Sequence, residues 1–191
     1  MRWSTVCVKR ALDVVFALLA LLLLSPLLIT TALAIVLDGG FPVLFKQTRL
    51  GLHGRSFGMY KFRSMVSGAS TLGSYFTTSN DPRITRVGRF IRRASIDELP
   101  QLLNVLIGHM SLVGPRPDVP AQRGLYSDED WTVRCAVRPG ITGLAQVVLR
   151  SEGTEMQRLA LDLRYVQDMS LWLDFKIMVG TLGRLTGKGS N

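Results

Sequence analysis

The sequence predicts an α+β fold attached to a membrane, with an N-terminal re-entrant helix-break-helix, a small β-hairpin or sheet, and several amphipathic helices at the membrane interface. Three observations predict it. An uncharged apolar run extends from Val14 to Leu37. Two short strand candidates flank a glycine-containing turn at 51–54, and the remainder has helical periodicity interrupted by prolines. We therefore expect a membrane segment at 1–40, a larger domain at 41–186 and a disordered tail at 187–191.

The apolar run is long enough to cross a hydrocarbon core of roughly 30 Å as a helix. It is too long for the apolar region of a signal peptide, which spans about 7–15 residues. Two alternatives remain: a spanning helix, and a helix that enters, bends and leaves by the same face. Cytoplasmic segments are rich in basic residues, and basic residues lie on both sides of this run, which favours re-entry. They are Arg2, Lys9, Arg10, Lys46, Arg49 and Arg55.

A helix break is predicted inside the run, at Ser25 and Pro26. Proline lacks a backbone donor, and its ring clashes with the carbonyl of Leu22, so the helix must bend there. The hydroxyl of Ser25 can bond backwards to a freed carbonyl and lower the cost of the bend in lipid. Asp13 lies near the start of the run, where Lys9 or Arg10 can pair with it.

The larger domain is predicted to begin with a hairpin and to continue mainly as helices. A polar loop rich in serine, threonine and glycine should follow the hairpin, and two prolines should hold a rigid extended loop. In chain order the predicted elements are strands at 43–49 and 57–65, the loop at 67–82, helices at 84–94 and 95–107, the rigid loop at 114–117, a helical turn at 128–137, a weak strand at 141–148 and helices at 155–180.

The charge distribution indicates an anionic partner. The formal net charge is +9, and it is concentrated at 46–93, where Asp81 is the one acid. Nucleic acid, an acidic membrane surface and a phosphorylated substrate all fit this pattern. Cys7 and Cys135 lack zinc-site spacing, and we expect no disulfide.

Asp97 and Glu98 follow directly after the basic tract. With Ser95 they match a capping box, in which serine and glutamate satisfy amides at a helix start. The same geometry also suits a phosphate site, because a helix N-terminus binds phosphate and its field keeps a nearby carboxylate ionised. Asp97 is then a candidate nucleophile, and the pair are candidate ligands of Mg²⁺. Residue types alone leave both interpretations open.

Three more cations are candidate phosphate ligands. Arg116 lies between Pro115 and Pro117, which would aim its guanidinium at a phosphate or a base. Lys61 and Arg63 alternate on a predicted strand and so face the same side. Each group can instead be an ordinary solvated surface.

Together these residues resemble the bacterial sugar transferase family, the monotopic phosphoglycosyl transferases, over nearly the whole chain. The resemblance rests on many motifs in the family's order. They are Lys9-Arg10 with Asp13, Ser25-Pro26, Phe45-Lys46-Gln47, residues 61–65 (Lys-Phe-Arg-Ser-Met), 81–85 (Asp-Pro-Arg-Ile-Thr), Arg92 with 95–101 (Ser-Ile-Asp-Glu-Leu-Pro-Gln), Asn104, 111–117 (Ser-Leu-Val-Gly-Pro-Arg-Pro) and 138–143 (Arg-Pro-Gly-Ile-Thr-Gly).

The resemblance implies an enzyme that transfers sugar-1-phosphate from a UDP-sugar to polyprenyl (undecaprenyl) phosphate, releasing UMP, as the first membrane step of surface glycan assembly. It implies that Asp97 is the nucleophile and forms a covalent phosphosugar intermediate, and that Glu98 helps to bind Mg²⁺. Arg92 and Arg116 resemble phosphate or uridine ligands. The chain resembles the minimal catalytic form, on the cytoplasmic face of the bacterial inner membrane, with membrane lipid as a partner and no nucleic acid.

One stretch departs from the family pattern. After Gly143 the family usually continues Ala-Gln-Val-Asn-Gly-Arg, whereas this chain has Val148 and Leu149 in place of the Asn-Gly pair. The identity of the sugar is therefore left open, as are the polyprenyl length, the glycan pathway and the oligomeric state. The competing functions are a membrane-anchored module that binds nucleic acid or anionic lipid, and a spanning helix that carries a scaffold domain.

Overall fold

A computed structural model of the chain describes residues 3–69, 81–149 and 153–186. It is a mixed α+β fold of helices and two small sheets, as predicted. The helices are α1 (Trp3–Leu23), α2 (Ser25–Gly39), α3 (Arg86–Arg93), α4 (Gln101–Ile107), α5 (Asp128–Arg134), α6 (Leu144–Leu149), α7 (Glu155–Asp168) and α8 (Leu171–Thr186). The strands are β1 (Leu44–Leu50), β2 (Ser56–Phe62), β3 (Ser111–Val113) and β4 (Gly140–Thr142).

The break between α1 and α2 lies where the sequence predicts it. Pro26 is in the first turn of α2, and the Ser25 hydroxyl donates to the Leu22 carbonyl at 2.8 Å. Within the described residues no single helix is long and apolar enough to cross a membrane. The pair Thr5–Leu23 and Ser25–Gly39 meets this criterion together, by length and composition only, and is bent by 62°. The bend follows because Pro26 lacks the amide that would continue the helix.

Both outer ends of this bent pair are attached to the same domain. At the start of α1, Lys9 Nζ donates to the Val113 carbonyl at 3.1 Å, and Arg10 Nη1 donates to the Val105 carbonyl at 2.6 Å. At the end of α2, the carboxylate of Asp38 accepts from the amide of Val87 at 3.0 Å. The start of α1 and the end of α2 therefore lie on one body of protein.

The predicted hairpin is confirmed. Strands β1 and β2 pair antiparallel, with a register that runs from Leu44 opposite Phe62 to Leu50 opposite Ser56. Asn104 of α4 is fully buried and joins the helix to β2: its Oδ1 accepts from the Tyr60 amide at 2.9 Å. Such satisfied buried polar contacts fix one packing arrangement of α4 against the hairpin.

The second sheet positions the predicted rigid loop. Strands β3 and β4 are parallel, with Ser111 opposite Gly140 and Val113 opposite Thr142. A Cβ added to Gly140 would lie 2.1 Å from the amide nitrogen of Gly114, so only glycine permits this approach of the two backbones. Because β3 ends at Val113, the loop at 114–117 starts from a fixed point.

Two predicted elements are wrong. The helix expected at 95–107 is divided into a 3-10 turn at Ile96–Glu98 and the helix α4, and Ser95 lies outside both in a left-handed conformation with φ 55°. Its hydroxyl makes no cap hydrogen bond, so the capping box is absent. The weak strand expected at 141–148 is β4 followed by the helix α6. Short apolar runs do not distinguish strand from helix.

The helical periodicity at 84–94 and 95–107 predicts that Phe90 and Leu103 face the core, but both are exposed. Phe90 of α3 is 67 % exposed, and Leu103 of α4 is 37 % exposed, although both share a face with buried residues in the sequence pattern. The predicted loop at 67–82 is described only at its two ends, and the predicted disordered tail at 187–191 lies outside the described residues.

Helix α8 has an apolar outer face. Trp172 is 63 % exposed and stacks on Phe175, with a centroid distance of 5.5 Å, and Val179 and Leu182 continue the row at helical spacing. The opposite side of α8 is buried through Ile177 in the core around Tyr165. The bent pair also exposes large apolar side chains, which include Leu22, Leu23, Ile29, Leu33 and Leu37.

Candidate active site

The acidic pair lies on the 3-10 turn between α3 and α4. This turn, Ile96–Glu98, is short, and Leu99 closes it by donating its amide to the Ile96 carbonyl at 3.1 Å. The left-handed Ser95 turns the chain between α3 and this segment. Asp97 is 8 % exposed and the side chain of Glu98 is 21 % exposed, so both carboxylates are mainly desolvated.

Glu98 is held by two cations. Its Oε1 accepts from Lys61 Nζ and from Arg116 Nη2, each at 2.7 Å. Burial acts to raise the pKa of Glu98, but Arg116 and Lys61 outweigh it and lower the pKa to about 2. Glu98 is therefore ionised at neutral pH, and it joins β2, the 3-10 turn and the loop at 114–117.

Asp97 is in a different environment. Burial raises its pKa above the ordinary value, and the charge of neighbouring Glu98 raises it further, whereas Lys61 and Arg92 lower it. The sequence predicts that a helix start keeps this carboxylate ionised, and this prediction is wrong because the pKa of Asp97 is raised and not lowered. Burial is the largest effect on Asp97, so the carboxylate is less stabilised by solvent than a surface aspartate.

The loop that carries Arg116 is fixed through its backbone. The carbonyl of Pro115 accepts from the Gly140 amide at 2.9 Å, and the carbonyl of Pro117 accepts from Arg49 Nη1 at 2.9 Å. The carbonyl of Arg116 itself accepts from Arg134 Nη2 at 2.8 Å. The loop is thus extended and rigid as predicted, and it presents the Arg116 side chain to Glu98.

A buried ionic network supports this loop, and sequence reasoning missed it. Arg134 of α5 is 6 % exposed and binds Asp118 and Asp162, in addition to the Arg116 carbonyl. Burial raises the pKa of Asp162 to about 6, and Arg134 opposes this shift. These residues are distant in sequence, and none falls in a recognisable motif. Their one signal was a single charged residue, Arg134, among mainly apolar neighbours at 131–137.

The structure separates the predicted pair Lys61 and Arg63. Strand β2 ends at Phe62, and Arg63 donates to the carbonyls of Gly40 and Phe41 at the end of α2. Its guanidinium therefore binds the backbone just after α2, and a phosphate role for Arg63 stays a prediction. Arg92 donates to the Ser64 hydroxyl at 2.8 Å and acts on Asp97 through its charge.

The acidic pair fits a magnesium ion that is held mainly through its substrate. Among the described residues, no group of three or more His, Cys, Asp or Glu side chains could hold a metal ion. Mg²⁺ commonly takes one or two carboxylates and completes its octahedron with substrate phosphate and water. Asp97 and Glu98 supply that number of carboxylates. A cage made only of protein ligands does not fit.

The fold and the site together define a class of protein. A bent apolar helix pair adjoins a pair of desolvated carboxylates, and the cations around this pair suit the site to phosphate. The family model described as Bacterial sugar transferase matches residues 4–188. The chain therefore belongs to the bacterial sugar transferase family.

Curated relatives agree with this family. The chain is 49% identical to an undecaprenyl-phosphate glucose phosphotransferase of Komagataeibacter xylinus, over 92% of this chain and 35% of the relative. It is 49% identical to a UDP-glucose:undecaprenyl-phosphate glucose-1-phosphate transferase of Caulobacter vibrioides, over 93% and 69%. It is 47% identical to an exopolysaccharide production protein PSS of Rhizobium leguminosarum, over 95% and 97%. The chain thus spans about a third of the first relative and nearly all of the last.

The opposite pKa shifts of the two carboxylates predict opposite effects on stability. The raised pKa of Asp97 means that its ionised form destabilises the fold above its ordinary pKa of 3.8. At pH 7 the unfolding free energy of Asp97→Asn should therefore exceed that of wild type by about 1 kcal/mol. The variant should accordingly unfold at a higher temperature. The gain should disappear as the pH falls towards 3.8.

Glu98→Gln is the matched contrast at the next position. The pKa of Glu98 is lowered, so its ionised form stabilises the fold above pH 4.5. This contribution is lost as the pH falls through about 2. Glu98→Gln should therefore lower the unfolding free energy at pH 7, by roughly 2 kcal/mol. Thermal unfolding of both variants in detergent, followed by circular dichroism, provides the comparison. Shifts of the same sign would contradict the two environments described here.

Proposed function

We propose that this chain transfers sugar-1-phosphate from a UDP-sugar to undecaprenyl phosphate, and that Asp97 carries the sugar phosphate between the two substrates. The observation that supports this most is the buried Asp97 beside Glu98, whose Oε1 has both Lys61 and Arg116 at 2.7 Å. The two relatives named for glucose transfer make UDP-glucose the first donor to test.

In the first step, a carboxylate oxygen of Asp97 attacks the β-phosphorus of the donor. A bond forms between this oxygen and phosphorus, the bond from phosphorus to the bridging oxygen breaks, and UMP leaves with that oxygen. Burial of Asp97 favours the attack, because a carboxylate with little hydration has less solvent to shed. No proton needs to be removed from the nucleophile once Asp97 is ionised.

In the second step, a phosphate oxygen of undecaprenyl phosphate attacks the same phosphorus. The bond from phosphorus to Asp97 breaks, the carboxylate is regenerated, and the product is undecaprenyl-diphospho-sugar. The lipid phosphate is already ionised, so this step needs no strong base.

The cations of the site would neutralise the donor's phosphates. Lys61 and Arg116 both contact Glu98 in the protein alone, and a bound diphosphate offers them further oxygens. Arg92 adds positive charge near Asp97. Mg²⁺ bound by Asp97, Glu98 and the diphosphate would supply additional neutralisation. Phosphoryl transfer depends chiefly on such positioning and neutralisation.

We further propose that α1 and α2 form a re-entrant segment and hold the site at the cytoplasmic face of the inner membrane. Two observations support it: the 62° bend and the attachment of both outer ends to one domain. A spanning helix would place one of these ends across the bilayer. The exposed apolar face of α8, with Trp172 and Phe175, would rest on the same lipid surface.

A module that binds nucleic acid or anionic lipid is disfavoured by the positions of the cations. Arg63, Arg83 and Arg92 are bound to groups within the domain, so part of the basic tract serves the fold. Such a module would also have no use for a desolvated carboxylate such as Asp97, whose burial is unfavourable without a compensating function.

Replacing the nucleophile should abolish the reaction. Asp97→Asn should lower UMP release from UDP-glucose about a thousandfold or more, because the amide cannot form the intermediate. Wild type incubated with labelled UDP-glucose and no lipid acceptor should carry the label on Asp97 after proteolysis and mass spectrometry. Glu129→Gln, an exposed acid on α5, is the matched control and should behave as wild type. Undiminished UMP release by Asp97→Asn would refute the assignment of the nucleophile.

Removal of divalent metal should stop the same assay. EDTA should abolish UMP release by wild type, and Mg²⁺ should restore it, because the donor diphosphate needs a counter-ion at the acidic pair. Glu98→Gln should require a higher Mg²⁺ concentration for half-maximal rate. Full activity in EDTA would exclude a role for the metal.

Membrane topology can be read by labelling cysteines from one side. In a Cys7→Ser background, with Cys135 buried, single cysteines at Thr5 and at exposed Arg55 would report on the two ends of the bent pair. We expect an impermeant thiol reagent to label both in inverted membrane vesicles and neither in intact cells, because both ends are attached to one domain. Labelling from opposite sides would establish a spanning segment instead.

A further inference from the structure

A polar cavity lies next to the loop at 114–117 that carries Arg116. It has a volume of about 160 Å³, and Arg116, which donates to Glu98, forms part of its wall. The cavity therefore begins at the residue expected to bind the donor's phosphates. Other polar lining residues are Arg49, Gln122, Tyr126, Glu155 and Arg158.

The lining suits a ligand with many hydroxyl groups. Carboxylate, amide, guanidinium and phenol groups all reach the wall, and α6 closes one side through Ala145. Carboxylates accept hydrogen bonds from hydroxyls, and guanidinium and amide groups donate to them. Arg134, Asp118 and Asp162 also line the cavity, and Arg134 forms ion pairs with both aspartates. These three side chains are therefore already paired with one another.

The cavity suits a base poorly. Proteins commonly bind bases against an aromatic face, and Tyr126 is the aromatic residue among the described residues of the lining. Its ring already stacks on Trp131, with centroids 5.7 Å apart, and the Arg134 guanidinium lies 5.3 Å from the ring centroid. Its hydroxyl donates to Asp118 at 3.3 Å, and the phenol oxygen can still accept a hydrogen bond from a ligand hydroxyl.

Size favours one ring over two. Pockets for drug-sized ligands occupy about 300–1,000 Å³, and this cavity has about half of the lower bound, 160 Å³. A single six-membered ring is a better match than a base joined to a ribose. The diphosphate of the donor would then lie at Arg116, with the nucleoside outside the cavity.

We infer that this cavity binds the hexose ring of the donor and that Glu155 and Tyr126 determine which hexose is accepted. This inference rests on the proposed transfer reaction. Glu155 is exposed in the first turn of α7, so its carboxylate is accessible to a ligand's hydroxyls. The departure from the family pattern at Val148 and Leu149 lies on α6, the helix that also provides Ala145 of the wall.

The test separates the sugar from the rest of the donor. Glu155→Gln and Tyr126→Phe each remove one hydrogen-bonding feature without changing side-chain size. We expect either change to lower kcat/KM for the preferred UDP-hexose about tenfold and to alter the ranking among UDP-glucose, UDP-galactose and UDP-N-acetylglucosamine. Inhibition by UDP, which lacks the hexose, should change by less than about twofold. Glu129→Gln, also an exposed acid in the first turn of a helix, should alter neither quantity.

Each other outcome overturns the inference. Weaker inhibition by UDP in step with the loss of kcat/KM would place the nucleotide in the cavity, and unchanged kinetics in both variants would leave the hexose elsewhere. If wild type releases UMP but the two variants do not show the expected kinetics, the transfer reaction stands and this subsite is refuted. If wild type releases no UMP from any of the donors, the proposed function fails, and this inference fails with it.

Discussion

One carboxylate oxygen connects the parts of the site. Oε1 of Glu98 accepts from Lys61 on β2 and from Arg116 on the rigid loop, both at 2.7 Å. Burial alone would raise the pKa of Glu98, but the two cations lower it to about 2, so the charge persists at any physiological pH. This single ionised group therefore joins the hairpin, the acidic turn and the loop at one point.

The environments of the two neighbouring carboxylates divide their roles. Glu98 has direct contacts with cations, whereas Asp97 is affected most by burial and has its pKa raised. Separating the pKa values of paired acids in this way lets one act in the reaction while the other stabilises charge. The raised pKa also identifies Asp97 as a site at which the fold loses stability, as expected of a functional group.

The sequence predicted the helix break and the hairpin correctly because both depend on residues that are neighbours along the chain. Pro26 fixed the helix break, and the turn at 51–54 fixed the hairpin, since each depends on neighbours in sequence. The capping box failed because Ser95 takes a left-handed conformation, which its motif does not encode. The expectation that Lys61 and Arg63 share one strand was wrong because β2 ends at Phe62. The Asp118–Arg134–Asp162 network was missed because only tertiary folding brings these charges together.

The helix pair is part of the domain's core and not a flexible tether. Ala17 of α1 is fully buried in the cluster around Val105, and Ile35 of α2 packs with Phe62 and Ile91. Lys9 of α1 also binds the Val113 carbonyl, at the end of the strand that leads into the Arg116 loop. Because the helix pair and the loop share these fixed contacts, the depth of the pair in a bilayer would also set the height of Asp97 above it. A lipid phosphate held at the headgroup level and a soluble nucleotide sugar could then meet at one carboxylate without movement of the domain.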